Sequence, residues 1–145
     1  MSNMVGVIVV FIVALDQLTK YLALKSIPEG HSVQIIKNIF YLTLVKNTGA
    51  AFGIFKNQIA LFIAISVATL AFIVFILRRA KNKDLLLEIS LALILGGALG
   101  NLIDRIRYAR VIDFFDFRVW PVFNIADSAI TVGGFLLMYK IIKSR

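Results

Sequence analysis

The chain has 145 residues, of which 60% are hydrophobic and 17% charged, with 16 Lys and Arg against 8 Asp and Glu and a net charge of +8. A soluble domain of this size sits nearer half apolar and a quarter charged, so the composition points to one polytopic membrane domain over residues 1–145, and it argues against nucleic-acid binding because no soluble basic domain is left to carry the charge. With no cysteine and the single His31, a disulfide framework, a thiolate metal site and a histidine-rich metal site are all excluded.

A membrane-crossing helix needs about 20 mostly apolar residues. The first such stretch covers about residues 4–24. It lacks a basic segment at its start and is interrupted by Asp16 and Lys20, so it reads as a retained span rather than a cleaved leader. Asp16 and Lys20 are four apart and share a helical face. That is the spacing of an ion pair, which makes burial cheaper for both; the functional alternative is a polar shelf beside a site.

Residues 25–57 form the first loop. Residues 33–40 and 40–45 are rich in Val, Ile, Phe, Tyr and Thr with partial alternation, which predicts short strands lying on the outer membrane surface. Asn47-Thr48-Gly49 follows as a turn. The second span, about residues 58–77, carries no charge at all, and Arg78, Arg79, Lys81 and Lys83 crowd the loop after it.

The third span covers about residues 85–103. Gly96, Gly97 and Gly100 allow a neighbouring helix to come close. Asn101, Asp104 and Arg105 close this span, with Asn101 and Arg105 on one face. They read either as packing plus a salt bridge at the interface or as an Arg that holds a carboxylate or a substrate carbonyl.

The third loop, about residues 104–121, contains Val111-Ile112-Asp113-Phe114-Phe115-Asp116-Phe117, two acids set among aromatic and aliphatic residues. Their plain explanation is pairing with Arg107, Arg110 or Arg118. On the fourth span, about residues 122–142, Asn124, Asp127, Ser128 and Thr131 form one polar stripe. Here the plain explanation is a helix start capped by Asn124, with Asp127 complementing the dipole. Lys140, Lys143 and Arg145 follow. The basic residues after the second and fourth spans predict both termini in the cytoplasm and the first and third loops outside.

Ionisable groups at membrane depth usually face the protein interior and mark function. An acid of the third loop brought against Asp127 in an apolar setting would share a proton with it. The ionised member could then take a proton from water while the protonated member polarises a peptide carbonyl. This hydrolysis needs neither metal nor cofactor. Spacing alone does not choose between Asp113, Asp116 and Asp104.

Five blocks carry a family resemblance: Asp16-Gln17-Leu18-Thr19-Lys20, Asn47-Thr48-Gly49-Ala50-Ala51-Phe52, Gly96 through Arg105, Val111-Ile112-Asp113-Phe114, and Phe123-Asn124-Ile125-Ala126-Asp127-Ser128. In this order, over nearly the whole chain, the sequence closely resembles the lipoprotein signal peptidases (signal peptidase II). The resemblance implies a four-helix membrane fold with a small extracytoplasmic sheet from the first and third loops. It also implies an aspartic endopeptidase of the bacterial inner membrane that cleaves prolipoproteins just before a diacylglyceryl-modified cysteine. It assigns Asp113 and Asp127 as the catalytic pair. Asp16, Lys20, Asn47, Gly49, Asn101, Arg105, Asn124 and Ala126 become substrate-binding or site-supporting positions. The implied partners are lipid-modified prolipoproteins and membrane lipid, and the protein is expected to act as a monomer. Phe52, Phe55, Phe114, Phe115 and Trp120 are candidates for a lip that grips acyl chain. The competing reading is a small proton-coupled transporter, which would place its acid near the midplane.

Overall fold

Each of the four apolar stretches folds as a helix long enough to cross a bilayer, because within lipid a helix is the only single segment that satisfies its own backbone. The structure is a computed structural model that describes residues 2–49, 58–79 and 84–144. In chain order the elements are α1 (Asn3–Ser26), β1 (Ser32–Ile36), β2 (Phe40–Asn47), α2 (Ile59–Arg79), α3 (Leu85–Tyr108), β3 (Val111–Asp116) and α4 (Ile125–Lys143). The expected membrane fold, four helices with a small sheet from the first and third loops, is the one observed.

Two helix ends fall elsewhere than hydropathy places them. α3 continues past residue 103 to Tyr108, because Asp104 in that extra length turns inward and is buried against α1. α4 begins at Ile125 rather than residue 122: Phe123 is occupied by backbone bonds to Phe115 in both directions, and Asn124 caps the helix.

α3 is the central helix and packs on α1, α2 and α4, while α2 and α4 make no extensive contact with each other. Two glycines set how closely α3 meets its neighbours. A Cβ on Gly97 would lie 2.4 Å from the Ala126 carbonyl oxygen, and one on Gly100 would lie 2.6 Å from an Asp16 carboxylate oxygen. Only glycine allows both approaches without displacing the α4 backbone or the Asp16 carboxylate. Large apolar side chains such as Phe11, Phe72 and Phe135 face outward, as expected of a surface solvated by lipid.

One end of the bundle is tied by polar contacts: Ser2 donates to Glu88 at 2.6 Å, and Lys140 pairs with Asp84. Arg78, Arg79 and Lys143 lie at this end by chain position; Lys81, Lys83 and Arg145 fall outside the described residues. The sheet covers the opposite end. It is antiparallel with order β1-β2-β3, and its β2–β3 register pairs Val45 with Asp113 and Asn47 with Val111. Ala23, Ile27, Leu44, Ile112 and Phe114 form the apolar cluster that seats the sheet on the helix ends.

Candidate active site

The site grows from one buried cation. Lys20 lies inside the bundle, 2% exposed, with its Nζ 2.8 Å from both Asp16 Oδ2 and Asp104 Oδ2 and donating to Asn101 Oδ1 at 3.1 Å. Gln17 closes the cluster, donating to Asp104 Oδ1 at 2.9 Å and Asp16 Oδ2 at 3.2 Å. The expected Asp16–Lys20 pair is present, but it is half of an arrangement whose other half, Asp104, comes from α3. Each carboxylate also accepts one backbone N–H: Ala126 N donates to Asp16 Oδ1 at 3.0 Å, and Ile112 N donates to Asp104 Oδ2 at 3.1 Å. Ala126 and Ile112 are the residues immediately before Asp127 and Asp113. The cluster therefore fixes the backbone that carries the other two acids. Ala126 is fully buried and close to Gly100, so a larger side chain there would push α4 from α3.

Asn124 joins those two acids. Its Nδ2 donates to Asp113 Oδ1 at 2.7 Å, while its backbone N–H donates to Asp127 Oδ2 at 3.3 Å. Its Oδ1 accepts from Asp127 N at 2.8 Å, completing a reciprocal cap at the start of α4. The capping role expected for Asn124 and a role in holding a site thus fall on the same residue, Oδ1 capping the helix and Nδ2 holding Asp113. Asn101 donates to Asp127 Oδ1 at 2.8 Å and accepts from Lys20 and Asn124; Asn47, at the end of β2, donates to Asp113 Oδ2 at 3.0 Å. Gly49 N donates to Asn47 Oδ1 at 2.9 Å, which orients that amide.

Asp113 is 2% exposed and Asp127 half-buried, and no cation of the described residues is within ion-pair distance of either. Burial is the main influence on Asp113, followed by the charge of Asp127. Together they push its carboxyl up to about 7, against hydrogen bonds from Asn47 and Asn124 and the Lys20 charge, which hold it down. A carboxylic acid here keeps a proton available near neutral pH.

Both acids line a cavity of about 470 Å³ together with Asn47, Gly49, Asn101 and Arg105. The Arg105 guanidinium lies over the Phe62 ring of α2 at 5.1 Å, and no described carboxylate is within ion-pair distance of it. Asp16, Lys20 and Ala126 stand behind the wall and do not line the cavity.

The other candidate acids are committed elsewhere. Asp104 is held by Lys20, Gln17 and Ile112 N. Asp116 accepts from Thr43 Oγ1 at 2.7 Å and Arg118 N at 2.8 Å, and its Oδ2 is 3.5 Å from Arg118 Nε. Of the residues considered for an acyl-gripping lip, Trp120 lines the cavity, whereas Phe114 is buried in the cluster beneath the sheet; Phe52 and Phe55 fall outside the described residues. Gln17 escapes a sequence search for site residues, and Asp104, a candidate there only as a catalytic acid, serves instead as the second partner of Lys20. The signal for Asp104 was its place three residues after Asn101 on a helix facing a buried lysine. Among the described residues no group of three His, Cys, Asp or Glu side chains could hold a metal ion.

Four membrane-length helices beneath a small sheet, with two uncompensated acids on one cavity, define a multi-pass membrane protein with the makings of a hydrolase. The family model described as signal peptidase (SPase) II matches residues 8–143. Lipoprotein signal peptidases of Halothermothrix orenii and Moorella thermoacetica are each 44% identical to the chain. The first match covers 93% of this chain and 92% of the relative, the second 90% and 87%. A bacterial membrane enzyme solved by the in meso method at 2.3 Å superposes with a TM-score of 0.93 at 33% identity, covering 97% of this chain and 88% of that one. A second, at 1.9 Å, gives 0.91 at 33% identity over 99% and 95%. The chain belongs to the signal peptidase II family and is a membrane peptidase. No finding favours the transporter reading.

Proposed function

We propose that this peptidase removes signal peptides from lipoprotein precursors, cutting just before a diacylglyceryl-modified cysteine with water activated between Asp113 and Asp127. The observation that carries the reading is Asn124, which bonds both acids and holds them on one cavity wall with amide partners and no paired cation. Two such carboxyls share a proton. The ionised member takes a proton from water, and the resulting hydroxide attacks the peptide carbonyl carbon. The protonated member hydrogen-bonds to the carbonyl oxygen and stabilises the charge that develops there. Transfer of its proton to that oxygen gives a tetrahedral diol, which returns the proton to the acid pair as the C–N bond breaks, while the proton taken from water passes to the leaving amine. Metal and cofactor have no part in this scheme, and millimolar chelator should leave turnover unchanged.

Asn101, Asn124 and Asn47 orient the acids, and Arg105 is placed to meet a substrate carbonyl. Asp16, Lys20 and Ala126 hold the framework behind them. The basic ends of α2 and α4 favour cytoplasmic termini, so the sheet and the acid pair face the other side, where the lipid-modified cysteine would sit in the outer leaflet. The partners are then lipidated precursors and membrane lipid, with the monomer as the working unit.

The test uses purified protein in lipid with one precursor in diacylglyceryl-modified and unmodified forms. Only the modified form should be cut, and Asp127→Asn should cut neither while melting at the parent temperature. Cleavage by Asp127→Asn, or equal cleavage of both forms, overturns the proposal.

A further inference from the structure

Hydroxyls on membrane helices normally bond back to their own helix, because lipid offers no other partner. Three hydroxyls here do so: Thr19 to Leu15 O at 2.8 Å, Ser90 to Leu86 O at 2.6 Å and Ser128 to Asn124 O at 2.9 Å. Ser66 and Thr69 of α2 and Thr131 of α4 do not; among the described residues none of them has a hydrogen-bond partner. All of them line the cavity that Asp113 and Asp127 share. The cavity lies between α2 and α4, which make no extensive contact with each other, with Ile94 and Ala98 of α3 as its apolar back wall. Thr131 is one turn beyond Asp127, about 6 Å further along α4 at about 1.5 Å per residue. Ser66 and Thr69 face the same space from α2, about 10 Å and 15 Å from its first residue.

A peptide bond must be presented in an extended conformation before water can attack it. A signal peptide arrives as a helix, so its last turn before the scissile bond has to unwind. Unwinding frees backbone N–H and C=O groups, and in apolar surroundings each of these needs a partner. A hydroxyl both donates and accepts, so it can serve either group.

We propose that Ser66, Thr69 and Thr131 bind the unwound backbone of the substrate on the N-terminal side of the scissile bond, in the gap between α2 and α4. This rests on the reading of Asp113 and Asp127 as the hydrolytic pair, and it assigns those hydroxyls as substrate-positioning residues of that reaction.

The experiment compares the parent enzyme with the variant carrying Ser66→Ala, Thr69→Val and Thr131→Val, in which shape is nearly kept and hydroxyls are lost. The substrates are a synthetic diacylglyceryl lipopeptide and its analogue with esters in place of the two amides just before the scissile bond, which removes those N–H donors. With the ordinary lipopeptide the variant should lose about 10- to 100-fold in kcat/KM, the worth of two or three hydrogen bonds. Its melting temperature should match the parent. The esters should slow the parent but have little further effect on the variant, and the combination Ser66→Ala, Thr69→Val and Thr131→Ser, which returns one hydroxyl, should recover part of the lost activity. An unchanged kcat/KM overturns the proposal. So does an ester penalty that is the same in both enzymes, which would make the hydroxyls a lining for water or packing only. Asp113→Asn is run beside them. If it is inactive while the triple variant is unimpaired, the positioning role fails and the hydrolytic pair stands; if it is active, the pair itself fails.

Discussion

Asp16 and Asp104 share one lysine, whereas Asp113 and Asp127 share none. The two groups are separated by a single residue of backbone at two points, through Ala126 and Ile112. The first is closed: its charges are matched by Lys20, Gln17 and backbone N–H groups, and it does not reach the cavity. The second has only amide partners and opens onto about 470 Å³ of space. What separates a structural carboxylate from a chemical one here is its partner and its access, since residue type is the same in both groups and Asp113 is buried as deeply as Asp16 and Asp104. An acid matched by a cation fixes geometry. An acid held by neutral donors can change its protonation state, as catalysis requires.

The strongest way to break this comparison is to neutralise one acid from each group. Asp113→Asn should lower turnover by at least about 1,000-fold, as expected for loss of a member of an acid–base pair, while the protein still folds. Asp104→Asn should instead act mainly on stability. A result in which the two variants exchange these phenotypes would invert the assignment. Next in size is Lys20→Ala, which strands two buried carboxylates and should cost about 3–5 kcal/mol, seen as a fall in melting temperature in detergent. If stability held while turnover collapsed, Lys20 would belong with the chemistry.

Asn124→Ala sharpens the comparison. It removes a cap and should cost about 1–2 kcal/mol of stability. It also removes a bond that holds the Asp113 carboxyl down, so the alkaline limb of kcat/KM should move to higher pH than in the parent. In the parent that limb should lie near pH 7, where the pair loses its shared proton. The sign for stability is opposite to that of a paired acid. The Asp113 carboxyl binds its proton more tightly folded than unfolded, so its contribution to stability is undiminished below about pH 4, falls as pH rises toward 7, and levels off above. Unfolding followed across that range should show Asp113→Asn gaining on the parent as pH rises. The smallest effect belongs to Asp116→Asn, which loosens the contacts of Thr43 and Arg118 at the sheet: about 1 kcal/mol or less, with turnover within a few-fold of the parent.

The spans were legible in the sequence because hydrophobic runs of about 20 residues have few alternative uses. The strands of the first loop could be read from their β-branched and aromatic content. The partners of Lys20 could not. Asp104 reaches it only because Gly100 lets α3 approach α1 at the level of Asp16, and hydropathy does not encode which helices cross or where. The plain readings of Asn124 and Asp127 as a cap and a dipole partner were sound physics, and the capping box is there. They left out that one residue can cap a helix and, through its side-chain amide and its backbone N–H, bond two acids together. The cavity wall on α2 was hidden for another reason: Ser66 and Thr69 look like ordinary membrane-helix hydroxyls until their lack of a local partner is seen in three dimensions.

Because Asn124 is both the first stop of α4 and the link between the two acids, the helix end and the reactive geometry stand or fall as a unit. Fraying of a single turn, a minor event for the bundle, is enough to let the carboxyls drift apart. On warming, the enzyme should therefore go silent while its helices remain intact, with heat inactivation running ahead of global melting.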